Sequence, residues 1–381
     1  MKVKKYIYLC LISIFLAAVT ACTNGASSTS PSLPKPEEID NPTDENPLEE
    51  IPEEKPVFQG TAYTEIPSDN PNFNGTYALF GDWPQTIKAD DVSVDESISV
   101  QMGGFTYYKG DDGAWYVKCK ENACTAIEIP EYTNGEKVAR LEEGKEKYFK
   151  VEPIKWRILK PKKAGKKRIL MSDRPLMAGI IFNANVLRKL DGKTIYPNNY
   201  QYSNMRTYLN GIPNQFITDG GNATENDIDW TGKGFLQTAF TEALQECISD
   251  TVVDNSVISA NPDNITKLIE ADSPYLCNNT YDKIFLLSIQ EATIADYGFN
   301  KYNMEDSSRL LVPTDFARAN NAFCFTRSLQ GNNPTYGTYW FLRSPDSNND
   351  NWVLDMDYKG KQYESNITIP DSTIVPALCL K

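Results

Sequence analysis

What most constrains this chain is the order in which its hydrophobic rhythm changes. From Phe58 to about Tyr148 the apolar residues come in short runs, "YALFGDWPQTI", "GFTYYKG", "AWYVKC" and "AIEIPEY". Gly, Asn or Asp breaks each run, and no helical period appears, so the region reads as strands. "FKVEPIKWRIL" and "RILMS" predict a hairpin with the basic stretch Lys160–Arg168 at its tip, where lysines guard a sheet edge against self-association. Helical spacing then takes over. "SNMRTYLNG" supplies Ser203 as an N-cap, Met205 and Leu209 one turn apart, and Gly211 as the stop. "GFLQTAFTEALQECISD" aligns Leu236, Phe240, Ala243, Leu244, Cys247 and Ile248 on one stripe, predicting a single helix in which Cys247 is a buried thiol. "DKIFLLS" predicts a buried strand, and Ser288 with Glu291 has the spacing of a capping box that opens a helix through Tyr297. A further helix starts at Thr314 or Asp315, and "YWFLRS", "WVLDMDYKG" and "TIVPALCL" close the chain as strands. Strands, then helices, then strands argue an α+β fold, and no internal repeat interrupts that order.

The first 57 residues follow different rules. Lys2, Lys4 and Lys5 precede an apolar run from Tyr6 to Val19, too short to span a bilayer, that ends in Val19-Thr20-Ala21-Cys22. This resembles a bacterial lipoprotein signal with its lipobox, which implies cleavage after residue 21 and lipid on Cys22. Thr23 and Asn24 after the cysteine carry no inner-membrane retention cue, so in a two-membrane cell the expected location is the outer membrane or cell surface. Residues 22–57 are Ser/Thr-rich and then acidic and Pro-rich, with too little apolar surface to offset ordering entropy. They read as a disordered tether, about 35 residues reaching on the order of 110 Å when extended.

Composition excludes several chemistries. The chain of 381 residues contains no histidine, which removes His-based nucleophilic triads and every His-ligated metal site. No Walker loop or dinucleotide fingerprint is present, and no cofactor is expected. The formal net charge of −13 becomes more negative once the three leader lysines are removed, so nucleic acid is not an expected partner. Carboxylates are abundant enough to furnish a glycosidase pair, but abundance is not arrangement.

Two motifs remain as candidate sites. In "GTYWFLRSPDSNNDNWVLDMDYKG" the alternation sets Tyr339, Phe341 and Arg343 on one face of a strand, with Asp355 expected opposite Arg343 as the partner of an ion-paired clamp. Trp340, Arg343, Asp346, Asp350 and Trp352 are the candidate ligand contacts. Asp346, Asn348 and Asp350 follow the every-second-residue rhythm of a calcium loop, without its central glycine, since Asn351 stands there. The other motif is "CKENAC", whose Cys119 and Cys124 bracket a short turn and form a disulfide candidate.

The motifs "FGDWPQT", "YFKVEPIKWRIL", "ILMS", "SNMRTYLN", "DKIFLLSIQEA", "TDFARAN", "YWFLRSP" and "IVPAL", in that order, resemble an uncharacterised bacterial domain family found in surface lipoproteins of host-associated bacteria. The resemblance covers about Tyr77 to Leu380 and implies no known activity. The family's last motif usually reads Gly-Val-Arg-Pro-Ala-Leu, whereas Thr373–Leu378 lacks that arginine. More distantly, the order of helix, strand and returning strand is similar to C-type-lectin-like and formylglycine-generating-enzyme-like domains. The copper-binding cysteine pair of the latter has no counterpart here, so catalysis is not implied.

The sequence thus predicts a signal peptide (1–21), a tether (22–57), a strand-rich N-terminal extension (58–148) and an α+β, C-type-lectin-like core of short antiparallel strands and several helices (149–381). The expected function is a lipid-anchored extracytoplasmic binding or surface-interaction module for a carbohydrate or protein ligand. A two-carboxylate carbohydrate hydrolase and a structural envelope protein are the alternatives.

Overall fold

Strand pairing converts these runs into one large antiparallel sheet and several small ones. The computed structural model describes residues 58–69, 75–122, 130–139, 144–159, 168–219, 223–263, 267–328 and 334–381. The leader, Cys22, the tether, Cys124 and the hairpin tip at 160–167 lie outside the described residues. The first strands are β1 (Thr64–Ile66), β2 (Thr76–Ile87), β3 (Val94–Met102), β4 (Phe105–Gly110), β5 (Trp115–Lys120), β6 (Glu146–Leu159) and β7 (Ile169–Ser172). Two small hairpins follow, β8 (Arg188–Leu190) with β9 (Lys193–Ile195), and β10 (Thr251–Val253) with β11 (Thr280–Asp282). The remaining strands are β12 (Ile284–Phe285), β13 (Cys324–Ser328), β14 (Pro334–Thr338), β15 (Trp340–Pro345), β16 (Trp352–Met356), β17 (Gln362–Asn366) and β18 (Ala377–Cys379).

The nine-stranded sheet is organised on β6. Along one edge β6 pairs with β2 from Phe149 to Ile158. Its other edge serves two partners in succession, β5 at Glu146–Lys150 and β7 at Trp156–Leu159. From β7 the sheet continues through β18 to β12, and from β5 through β4 to β3. The sheet therefore crosses the boundary drawn at 148/149. Strands of the N-terminal extension and of the core share one sheet, and one hydrophobic cluster runs from Tyr77 to Cys379. The extension is thus part of the same folded body, because β6 needs β2 and β5 to satisfy its backbone.

The "FGDWPQT" motif shows why this register holds. Gly81 sits at φ +68 where β2 bulges, and a Cβ there would lie 2.4 Å from the Phe240 ring and 2.8 Å from the Ala239 carbonyl. Asp82 accepts from the Thr61 amide and hydroxyl, each at 2.6 Å. Trp83 is buried and donates to the Leu176 carbonyl at 2.9 Å.

Helices α1 (Asn204–Asn210), α2 (Gln215–Thr218), α3 (Phe235–Ala239), α4 (Glu242–Cys247) and α5 (Asp315–Ala319) are all short. α1 starts and stops as expected, with Ser203 accepting from the Arg206 amide and Gly211 left-handed at φ 59. Thr314 likewise caps α5 by accepting from the Ala317 amide. The single helix expected over 234–250 is instead broken into α3 and α4 at Phe240, whose backbone is extended at φ −135, ψ 128. The Phe240 ring inserts between Phe80 at 5.0 Å and Trp156 at 6.3 Å, and that burial outweighs helix continuity. One consequence is that Ala243 and Cys247 are exposed, so Cys247 is not a buried thiol. The capping box is real: the Ser288 amide donates to Glu291 at 2.9 Å and the Glu291 amide to Ser288 at 3.2 Å. It opens two 3-10 turns, Glu291–Thr293 and Ala295–Tyr297, rather than an α-helix.

The chain is thus mixed and strand-rich, with few and short helices among the described residues. None of those helices is long and apolar enough to cross a membrane.

Candidate functional site

The ribbon of the sequence reading is a three-stranded sheet, β15–β16–β17, with Phe341 opposite Asp355 and Asp355 opposite Tyr363. Trp340 lies wholly inside the core, where its indole donates to the Arg309 carbonyl at 3.1 Å, so it is a packing residue and not a surface contact. Arg343 is a buried clamp, as its surroundings demanded, but with a different partner. Its Nη1 donates to Glu291 at 2.5 Å and to the Leu286 carbonyl at 2.6 Å, and its Nη2 to the Asp254 carbonyl and the Ser259 hydroxyl. The expected pairing with Asp355 fails because the β15–β16 register shifts between Phe341 and Pro345. Beyond that irregularity β15 docks on the segment after β12: the Arg343 amide donates to Leu287 and the Ile289 amide to the Ser344 hydroxyl.

Asp355 is left without a cation among the described residues. It accepts from Ser365 and, at 3.5 Å, from Ser372. Burial, reinforced by the neighbouring Asp357, pushes its carboxyl up to about 8 against those two hydroxyls. A neutral carboxyl is what this position can hold.

The Asp/Asn loop between β15 and β16 is organised by its own amides. Asp346 is buried, and its Oδ1 accepts from the Asn348 and Asn349 amides at 2.9 and 2.7 Å and from the Asn349 side chain at 3.1 Å. From beneath, buried Asn198 donates to the carbonyls of Asn349 and Trp352 through its side chain and to that of Asp350 through its amide. This is an Asx-turn arrangement. Asp346, Asn348 and Asp350 are neighbours in it, but among the described residues no group of three or more acidic or cysteine side chains is placed to hold a metal ion. Cys119 lies against Asn320 at 3.6–3.8 Å, and burial pushes its thiol up to about 11. Its candidate partner, Cys124, is outside the described residues.

What the loop does position is an open patch on the edge of this sheet, lined by Trp352, Gln362, Tyr363 and Glu364. Trp352 is half-buried and Tyr363 is 54% exposed. Burial, then the charge of Asp346 and a hydrogen bond to it, raise the Glu364 carboxyl above its usual range. Tyr302 borders the same pair, with its hydroxyl shifted up by burial and by both acids. On the other face of β17, Tyr363 continues into an aromatic row through Tyr339 at 5.5 Å and Tyr358, which stacks on Phe325 at 4.3 Å. Of the five candidate contacts, Asp346, Asp350, Trp352 and Arg343 therefore gather at one end of the sheet. Sequence reasoning missed Gln362, Tyr363 and Glu364, because "QYESN" shows no apolar alternation that would mark β17 as a strand. It also missed Glu291 as Arg343's partner, since the capping-box spacing was read only locally.

A strand-rich, antiparallel domain with few and short helices is the class this architecture defines. The chain belongs to the family of domains of unknown function DUF6273, which matches residues 175–381, more than half of its length. "FGDWPQT" and "VEPIKWRIL" precede the matched segment. No curated protein matches the chain, and no solved structure does.

Proposed function

We propose that this protein is a lipid-anchored, extracytoplasmic binding module whose ligand-facing surface is the patch formed by Trp352, Gln362, Tyr363 and Glu364. The observation that carries this reading is a half-buried tryptophan beside an amide and a carboxyl on one face of a shallow, open strand edge, with the exposed Tyr363 ring on the opposite face of the same edge. A ring such as that of Trp352 stacks on the C–H face of a hydroxyl-rich molecule, while the amide and carboxyl beside it accept hydroxyl hydrogens, so a carbohydrate is the ligand class that fits best. The distant, fold-level resemblance of the helix, strand and returning strand to C-type-lectin-like domains points the same way. The leader and Cys22 support an address on the outer membrane or cell surface, with the tether carrying the domain clear of the lipid.

The hydrolase reading is weaker, because Glu364 is the one carboxylate lining the patch among the described residues, whereas a glycosidase sets two about 5 to 9.5 Å apart. Affinity electrophoresis of the full chain through gels containing neutral polysaccharides, with reducing ends assayed in parallel, tests the reading. Retardation without new reducing ends is expected. Release of reducing ends would establish the hydrolase, and no retardation on any polysaccharide would favour a structural or protein-binding role.

A further inference from the structure

A second polar feature lies apart from the patch, on the inner side of Arg343. A cavity of about 10 Å³ has Tyr200, Asn255, Ser259, Tyr275, Arg343 and Ser344 in its lining. Tyr200 and Arg343 are 1% and 2% exposed. Neither the Tyr200 hydroxyl nor Arg343 Nε has a hydrogen-bond partner among the described residues. The other four Arg343 donor contacts are filled, among them Nη1 to the Leu286 carbonyl at 2.6 Å. Buried donors are rarely left unmet in a folded protein, because each costs free energy that a partner would recover. Two of them against one small cavity mark a place prepared for an acceptor oxygen.

We propose that this cavity is a binding subsite that takes one hydroxyl oxygen of a neutral sugar or polyol, accepting from Tyr200 Oη–H and Arg343 Nε–H while the rest of the ligand lies beside Tyr275. The volume admits one oxygen atom and little more. Burial holds the Tyr200 hydroxyl protonated far beyond neutral pH, so it remains a donor. An anionic ligand suits the place less well. Glu291 already balances the Arg343 charge, and the charges of Asp350 and Asp346 act on Tyr275 in the cavity lining. The subsite does not depend on the Trp352 patch, although a ligand long enough could meet both.

The test uses Tyr200→Phe, which deletes the hydroxyl and keeps the ring. Glucose, mannose, galactose and N-acetylglucosamine are titrated into the full chain by ligand-observed NMR, with acetate as the anionic arm and Tyr363→Ala as the control for the patch. Saturable binding of at least one sugar is expected, weakened tenfold or more by Tyr200→Phe, with an unliganded melting temperature equal to or above that of wild type. A lowered melting temperature would mean that a permanent internal water completes the fold there, and would overturn the proposal. Binding of acetate alone, binding of no sugar, or sugar binding unchanged in Tyr200→Phe would overturn it as well. Loss of sugar binding in Tyr363→Ala but not in Tyr200→Phe would uphold the patch and sink the subsite, so the two readings fail separately.

Discussion

Arg343 and Asp355 show how differently two buried ionisable side chains can be handled within one three-stranded sheet. Arg343 is held by a carboxylate, two carbonyls and a hydroxyl. Arg343→Ala leaves Glu291 and those carbonyls without it, and should lower stability by about 3 kcal/mol, measured as a shift of the urea midpoint with an unchanged slope. Asp350→Ala, in the solvated part of the loop, should cost under about 0.5 kcal/mol. Asp355 acts through pH. Its folded pKa, about 8, lies above the unfolded carboxylate value, so the folded state holds the proton more tightly. Its contribution is complete below about pH 4 and is lost as pH rises towards and through 8, with a limiting slope of about 1.4 kcal/mol per pH unit. The difference in stability between wild type and Asp355→Asn should therefore shift steadily against wild type from pH 5 to 8, and a difference independent of pH would contradict the assignment. The clamp was legible from the arginine's place in an apolar strand. Its partner was not, because the register shift after Phe341 is a property of the assembled sheet and leaves no mark in the local alternation.

At the scale of elements, local punctuation was readable and long-range capture was not. Ser203, Gly211 and Thr314 do what cap residues do wherever a helix starts or stops. Phe240 breaks a helix that its neighbours would have continued, because the sheet offers its ring a buried place between Phe80 and Trp156. The strands missed by pattern, β3 and β17 among them, are polar edge strands whose pairing partner, not their composition, makes them strands. Gly81 links these observations, since its left-handed backbone lets β2 bulge around the Phe240 ring. Gly81→Ala should destabilise by about 3 kcal/mol, combining the left-handed penalty with the clash, and thermal melting of the variant checks it. Ser203→Ala, which removes a cap without a clash, should cost about 1 kcal/mol.

For the whole molecule, the continuity of the sheet through β6 predicts cooperativity. Fluorescence and far-UV dichroism should report a single unfolding transition for 58–381, whereas two separated transitions would mean that the N-terminal strands form a body of their own. The anchor is tested by membrane fractionation: Cys22→Ser should move the protein out of the detergent phase, and an unchanged distribution would remove Cys22 as the lipid site. The central claim is that the strand edge at Trp352 and Tyr363 holds a carbohydrate, and its most direct measurement is binding of the wild type, Trp352→Ala and Tyr363→Ala to an array of neutral glycans. At least one glycan should bind the wild type saturably and each variant tenfold or more weakly, a loss of about 1.4 kcal/mol, at unchanged melting temperature. Equal binding by all three proteins, or no glycan bound by the wild type, would contradict it.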